Sequence, residues 1–128
     1  MSPDLRYLAL ATALGLLHAV ATGACYLLQN GPAASTGPRD DVPPLGGVYG
    51  RIDRAFANFM QTFPFFATAM LIAQTLNRHD ALTEWGAAIY FWCRVAYVPL
   101  YVAGVPLLRS LVWMVSFVGI WLVLAGIA

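Results

Sequence analysis

The sequence has no lysine and little charge of either sign. Seven arginines stand against six acids, the formal net charge is +1, and charged residues make up 10% of 128 positions, where soluble chains carry about 25%. Too few charges remain to cover a water-facing surface. A balance of +1 also offers no basic face for nucleic acid. Cysteine is nearly as scarce: Cys25 and Cys93 lie in separate apolar runs, with no CxxC and no histidine at ligand spacing. No disulfide framework or metal set is therefore expected, and both read as small buried apolar residues. A phosphate-binding glycine loop, a Walker lysine and a nucleophilic triad are missing as well, which leaves a kinase, nuclease or soluble hydrolase without support.

What is present is apolar. The residues AVILMFWYC make up 60% of the chain, which rules out disorder and points to a bilayer. A spanning helix needs about 20 mostly apolar residues. Four stretches qualify: Tyr7–Leu28 and Ala55–Leu76 without a formal charge, Ala81–Ala103 interrupted by Glu84 and Arg94, and Ser110–Ala128, again uncharged. None alternates with period two, so a β-barrel is excluded. The expectation is an all-α integral membrane protein with one domain over residues 1–128, its spans near 5–29, 51–77, 81–103 and 108–128. Ala19-Val20-Ala21 resembles a signal-peptide cleavage site, but the run is long and Asp4 precedes it beside Arg6.

The connections suggest the topology. Residues 31–50 hold Pro32, Pro38, Pro43 and Pro44 with Arg39, Asp40 and Asp41, and read as a polar loop without helix periodicity. Residues 77–80 and 104–108 read as tight turns, so neighbouring helices run antiparallel. Arg39, Arg51, Arg54 and Arg109 fall on the side of the first and third connections, Arg6 and Arg78 on the other. The positive-inside rule then puts both connections in the cytoplasm and both termini outside. In span one, Ala11, Gly15, Ala19 and Gly23 form a stripe of small residues suited to close helix packing. His18, mid-span, reads as a hydrogen-bonded interior residue rather than a ligand.

Several polar residues stand where they are costly. An arginine near a helix centre costs about 2.5–3.5 kcal/mol on insertion scales, so each needs a partner or a wet site. Arg51, Arg54, Asn58 and Gln61 share one face of span two, a row about 15 Å long. Arg94, Tyr97 and Tyr101 share a face of span three, with Tyr90 one turn before them, and Arg109 and Ser110 open span four. Arginines without a nearby carboxylate cluster suit an anion, because guanidinium binds carboxylates bidentately and stays charged when desolvated. The amides suit a peptide backbone or amino group. A small peptide with two carboxylates fits. The alternative is an internal lock in which these residues pair with Asp53 and with backbone carbonyls; it holds at least equally for Arg51, at the interface, and for Arg94 an ion pair with Asp53 competes.

The stretch Arg54-Ala55-Phe56-Ala57-Asn58-Phe59-Met60-Gln61-Thr62-Phe63-Pro64-Phe65 resembles the R-A-x-x-N-x-x-E-x-x-P-F signature of the MAPEG superfamily, membrane-associated proteins in eicosanoid and glutathione metabolism. Arg94, Tyr97, Tyr101, Pro106 and Arg109-Ser110 look like its second signature. The resemblance implies a four-helix antiparallel bundle assembled as a homotrimer, with a glutathione site between protomers near the cytoplasmic face. It implies that Arg54, Asn58, Gln61, Arg94, Tyr97 and Tyr101 contact glutathione as cosubstrate, and that Arg109, with Ser110 beside it, stabilises the thiolate. Two positions depart from the pattern: Gln61 replaces the usual Glu, and Tyr97 replaces a histidine found in some members. They place the chain with divergent bacterial-type members, in the inner membrane.

Three functions compete. One is a glutathione transferase or peroxidase acting on lipophilic small molecules that arrive through the bilayer. The second is a non-catalytic protein of the same fold that binds a thiol or lipid; the missing Glu at Gln61 favours it. The third, a four-span drug exporter, needs an acid within span one, and none follows Asp4 there.

Overall fold

Residue chemistry at the chain's turns accounts for where its helices begin and end. The computed structural model describes residues 1–128 and contains α1 (Pro3–Thr36), α2 (Gly47–Thr75), α3 (Ala81–Ala103) and α4 (Pro106–Ile127). Asp80 opens α3 with a capping box. Its Oδ1 accepts from the Leu82 and Thr83 backbone N–H groups, both at 2.9 Å, and the Asp80 N–H donates to Thr83 Oγ1 at 3.0 Å. Gly104 closes α3 in the left-handed region at φ 76°, which glycine enters without a Cβ penalty. Pro106 then sits in the first turn of α4, where its missing N–H costs nothing.

The first connection is shorter than the sequence suggests. Residues 31–50 are not one loop: helix continues to Thr36, and α2 begins at Gly47. Gly31, at φ 83° and ψ 171°, breaks α1, and helix resumes at Pro32. Proline's preset φ favours a helix's first turn, so the glycine–proline pair produces a kink rather than a stop. Gln29 ties the remaining connection back to α1, accepting from Gly46 N–H at 3.0 Å and donating to Pro44 O at 3.2 Å.

All four helices are long and apolar enough to cross a membrane, and the chain is an all-helical integral membrane protein. α3 packs along α4, α2 touches the other three helices, and α1 rests on α2 and α3 without reaching α4. The core gathers Phe66, Met70, Tyr90, Phe91, Ile120 and Val123 around Ala11, Ala69 and Ala87. In lipid such a core is held by packing rather than by exclusion of water. Trp85, Trp92, Trp121 and Phe65 instead point outward, each more than half exposed.

Small residues do their closest work away from the span-one stripe. Gly86 and Gly119 face each other across α3 and α4; a Cβ on Gly86 would lie 2.6 Å from Gly119 O, and one on Gly119 would lie 2.7 Å from Gly86 O. Within the stripe, Ala11 is buried and Gly15 lies against Phe59, while Gly23 has nothing within 4 Å. α1 docks through a narrower seam: its buried residues are Asp4, Ala11, His18 and Cys25, one every seven residues, the spacing of a helix wrapped on its neighbours. Asp4 pins one end through a 2.7 Å hydrogen bond with His79 Nδ1. His18 is buried as expected, but it makes no hydrogen bond and instead packs on Phe56 and Phe59.

Candidate functional site

The polar residues of α2 follow helical periodicity, and α3 and α4 carry their own polar groups to the same place. Arg54, Ala57, Asn58 and Gln61 of α2, Tyr97 and Tyr101 of α3, and Arg109 of α4 line a cleft of about 350 Å³. An adjoining hollow of about 340 Å³ shares Asn58, Tyr97 and Arg109 and adds Ser110, Trp113 and Met114. The two form one polar recess at the end of the bundle where α2 and α4 begin and α3 ends.

Tyr101 organises its cations. Its hydroxyl accepts from Arg54 Nε at 3.3 Å, and the Arg109 guanidinium lies 4.6 Å from its ring centroid. Stacking on an aromatic face offsets part of a cation's lost hydration while leaving its N–H groups free. The Tyr97 ring sits 5.6 Å from that of Tyr101 and carries a second guanidinium, Arg94, at 4.6 Å.

Arg94 is the unusual member. It is 1% exposed and lies beneath the cleft wall rather than in its lining, between the rings of Tyr97 and Phe59. Its Nε and Nη1 have no hydrogen-bond partner, and neither does the buried Asn58 Oδ1. No carboxylate lines the recess, and the Asp4 carboxylate bonds His79 where the start of α1 meets the α2–α3 turn, at the other end of the bundle. A buried guanidinium without a counter-charge costs several kcal/mol. The recess therefore carries excess positive charge and unsatisfied polar atoms, both of which suit an anionic ligand with amide or amino groups.

Three polar residues weighed in the sequence lie outside the recess, and Arg51 takes the backbone partner of the internal-lock alternative. Arg51 leaves the α2 row: its Nη1 donates to Val102 O at 3.0 Å, and it lies beside Gly104, so it satisfies an orphan carbonyl at the end of α3. Asp53 does not pair with Arg94. It faces the other way, into a cavity beneath the first connection with Thr22, Tyr26 and Arg39. Tyr90 does not join the Arg94 row either, because its hydroxyl bonds Thr62 Oγ1 at 3.0 Å and its ring stacks on Phe66 in the core.

Ser110 lines the adjoining hollow, but its Oγ donates to Pro106 O at 3.0 Å. Ala57, Trp113 and Met114 are the lining residues that the sequence did not single out. Ala57 lies one turn from Arg54 and from Gln61, and Trp113 one turn from Arg109, so helical spacing alone could have added both.

No curated protein matches the chain. A family comparison matches it over residues 5–128, nearly its whole length, to the MAPEG family. With four apolar helices and a polar recess formed by the two signature stretches, this chain belongs to the MAPEG family.

Proposed function

We propose that the recess binds glutathione and activates its thiol for transfer to, or reduction of, lipophilic electrophiles that arrive through the bilayer. The observation that carries this reading is a polar cleft with Arg54 and Arg109 in its lining and Arg94 behind it, and no carboxylate among them. MAPEG members use glutathione, a peptide with two carboxylates, a free amino group and two amide bonds. Arg54 suits one of its carboxylates, Arg94 behind the wall adds positive potential to the cleft, and the unpartnered Asn58 Oδ1 suits an amide or ammonium donor. Gln61 lines the same cleft and can accept one hydrogen bond from the amino group without neutralising it. Tyr97 and Tyr101 hold the arginines in register.

Arg109 is the candidate to stabilise the thiolate. A thiol is a poor nucleophile when protonated, and an adjacent guanidinium favours the ionised form. Ser110 is the neighbouring hydroxyl, able to turn from Pro106 O toward the sulfur. The protein acts as a homotrimer in this reading. Arg54 and Gln61 are exposed in the single chain, and a neighbouring protomer would cover them at membrane depth. The recess faces the cytoplasm from a bacterial inner membrane, on the side rich in arginine.

A second reading keeps binding and drops turnover: Gln61 in place of Glu leaves the ammonium group of a bound peptide unneutralised. Calorimetric titration of glutathione into the detergent-purified protein tests the shared claim. A hydrogen bond to a charged group is worth about 1.5–3 kcal/mol, so Arg54→Ala should weaken binding by about ten- to a hundredfold while native mass spectrometry still shows three copies. Binding unchanged in Arg54→Ala would refute the assignment; binding lost together with the trimer would show that Arg54 holds the assembly instead.

A further inference from the structure

A separate cavity shares no lining residue with the recess. It holds about 240 Å³ and is lined by Leu14, Leu17, His18 and Ala21 of α1, Ile52 of α2, and Val98 and Val102 of α3. Six of its seven lining side chains are apolar, and the exception is His18. His18 is 6% exposed and makes no hydrogen bond to any group of the chain. Its ring is wedged against Phe59, centroids 5.3 Å apart, and against Phe56 at 6.0 Å. Leu17, in the same wall, is 66% exposed on the outer face of α1, so the cavity opens sideways, where the acyl chains of a bilayer would lie.

An apolar cavity with one convergent polar group has the form of a small-molecule site. We infer that this cavity is a second ligand site, for a single-chain lipophile whose hydroxyl or carboxyl head hydrogen-bonds His18 while its tail lies between α1 and α3. The charge requirement follows from the surroundings. Arg94 lies against the same Phe59 ring, 5.5 Å from the centroid, and in so dry a setting its charge acts over a long range. A neutral or anionic head is therefore accepted, and an ammonium head is refused. α1 is the movable wall, since one seam of buried residues and ties at its two ends hold it. With separate linings, the cavity and the recess hold separate molecules.

The test uses the full-length protein in nanodiscs with three photoreactive single-chain probes that differ only in the head: alcohol, carboxylate and trimethylammonium. Labelled peptides are then mapped by mass spectrometry. The alcohol and carboxylate probes should label residues 14–21 and 98–102, compete with their unlabelled parents, and exceed the ammonium probe. His18→Phe keeps the aromatic packing and removes the hydrogen bond, so it should weaken capture about three- to tenfold. Ala21→Leu fills the cavity from the exposed face of α1, retains His18, and should abolish saturable labelling; it decides the matter should His18→Phe fail to fold. Labelling that does not saturate, is equal for all three heads, or is unchanged in Ala21→Leu would overturn the inference and mark the contact as ordinary annular lipid. Glutathione titration on the same variants should be unaffected, which separates this site from the recess.

Discussion

The contact between Gly86 and Gly119 makes a sharp prediction because both obstacles are backbone. In Gly119→Ala the new methyl would lie 2.7 Å from Gly86 O and 2.9 Å from Tyr90 N. No rotamer change relieves either contact, so α4 must withdraw from α3 by on the order of half an ångström, a gap that forfeits about a quarter to a half of each contact's dispersion energy. Overpacking of this kind costs about 1–3 kcal/mol. Alanine's better helix propensity returns roughly 0.5–1 kcal/mol, leaving a net loss of about 0–2.5 kcal/mol. Gly86→Ala should behave alike, since its methyl meets Gly119 O at 2.6 Å and Val123 N at 2.8 Å. Gly23→Ala is the control: nothing lies within 4 Å, so it should gain the propensity difference of about 0.5–1 kcal/mol without the overpacking cost. Thermal unfolding in one detergent, followed by circular dichroism, ranks the three. The recess should suffer too, because α3 brings Tyr101 and α4 brings Arg109 to their 4.6 Å stack. If Gly86→Ala and Gly119→Ala unfold together with Gly23→Ala, the α3–α4 spacing described above is wrong.

Other perturbations separate binding from chemistry and from stability. Bound glutathione should show thiolate absorbance in the ultraviolet at neutral pH, and Arg109→Leu should remove that signal while leaving the affinity nearly intact; a thiolate band that persists would show that another group stabilises the sulfur. Gln61→Glu should tighten glutathione binding in the same calorimetric titration, since a carboxylate can neutralise the ammonium group, and unchanged affinity would place the amino group elsewhere. Thr62→Val removes the partner of the Tyr90 hydroxyl at 3.0 Å in a fully buried setting, and should lower stability by about 1–2 kcal/mol in thermal unfolding without changing glutathione affinity.

Much of this protein is legible before any folding. The four apolar runs determine that it crosses a membrane, because in a bilayer every backbone group must be satisfied within a helix or a closed barrel, and no run alternates. Helical spacing alone puts Arg54, Asn58 and Gln61 on one face, and Tyr97 and Tyr101 on another. Asp80, Gly104 and Pro106 mark turns by chemistry that acts within a few residues. What periodicity could not supply was the partner of each polar group. Arg51 shares the α2 row in sequence, yet it is drawn to Val102 O because α3 ends beside it. Asp53 and Arg94 were equally open to pairing, and only the rotation of α2 sends Asp53 toward Tyr26 and leaves the buried Arg94 without a carboxylate. The small-residue stripe of α1 holds only in part, at Ala11 and Gly15 and not at Gly23, for a related reason. Alanine and glycine are common in every span, and which of them touch is decided by how two helices cross. That crossing put the tightest contact at Gly86 and Gly119 rather than along α1. Local chemistry and period belong to the chain itself; the pairing of charges and the meeting of backbones are properties of relative helix rotation, which no single segment encodes.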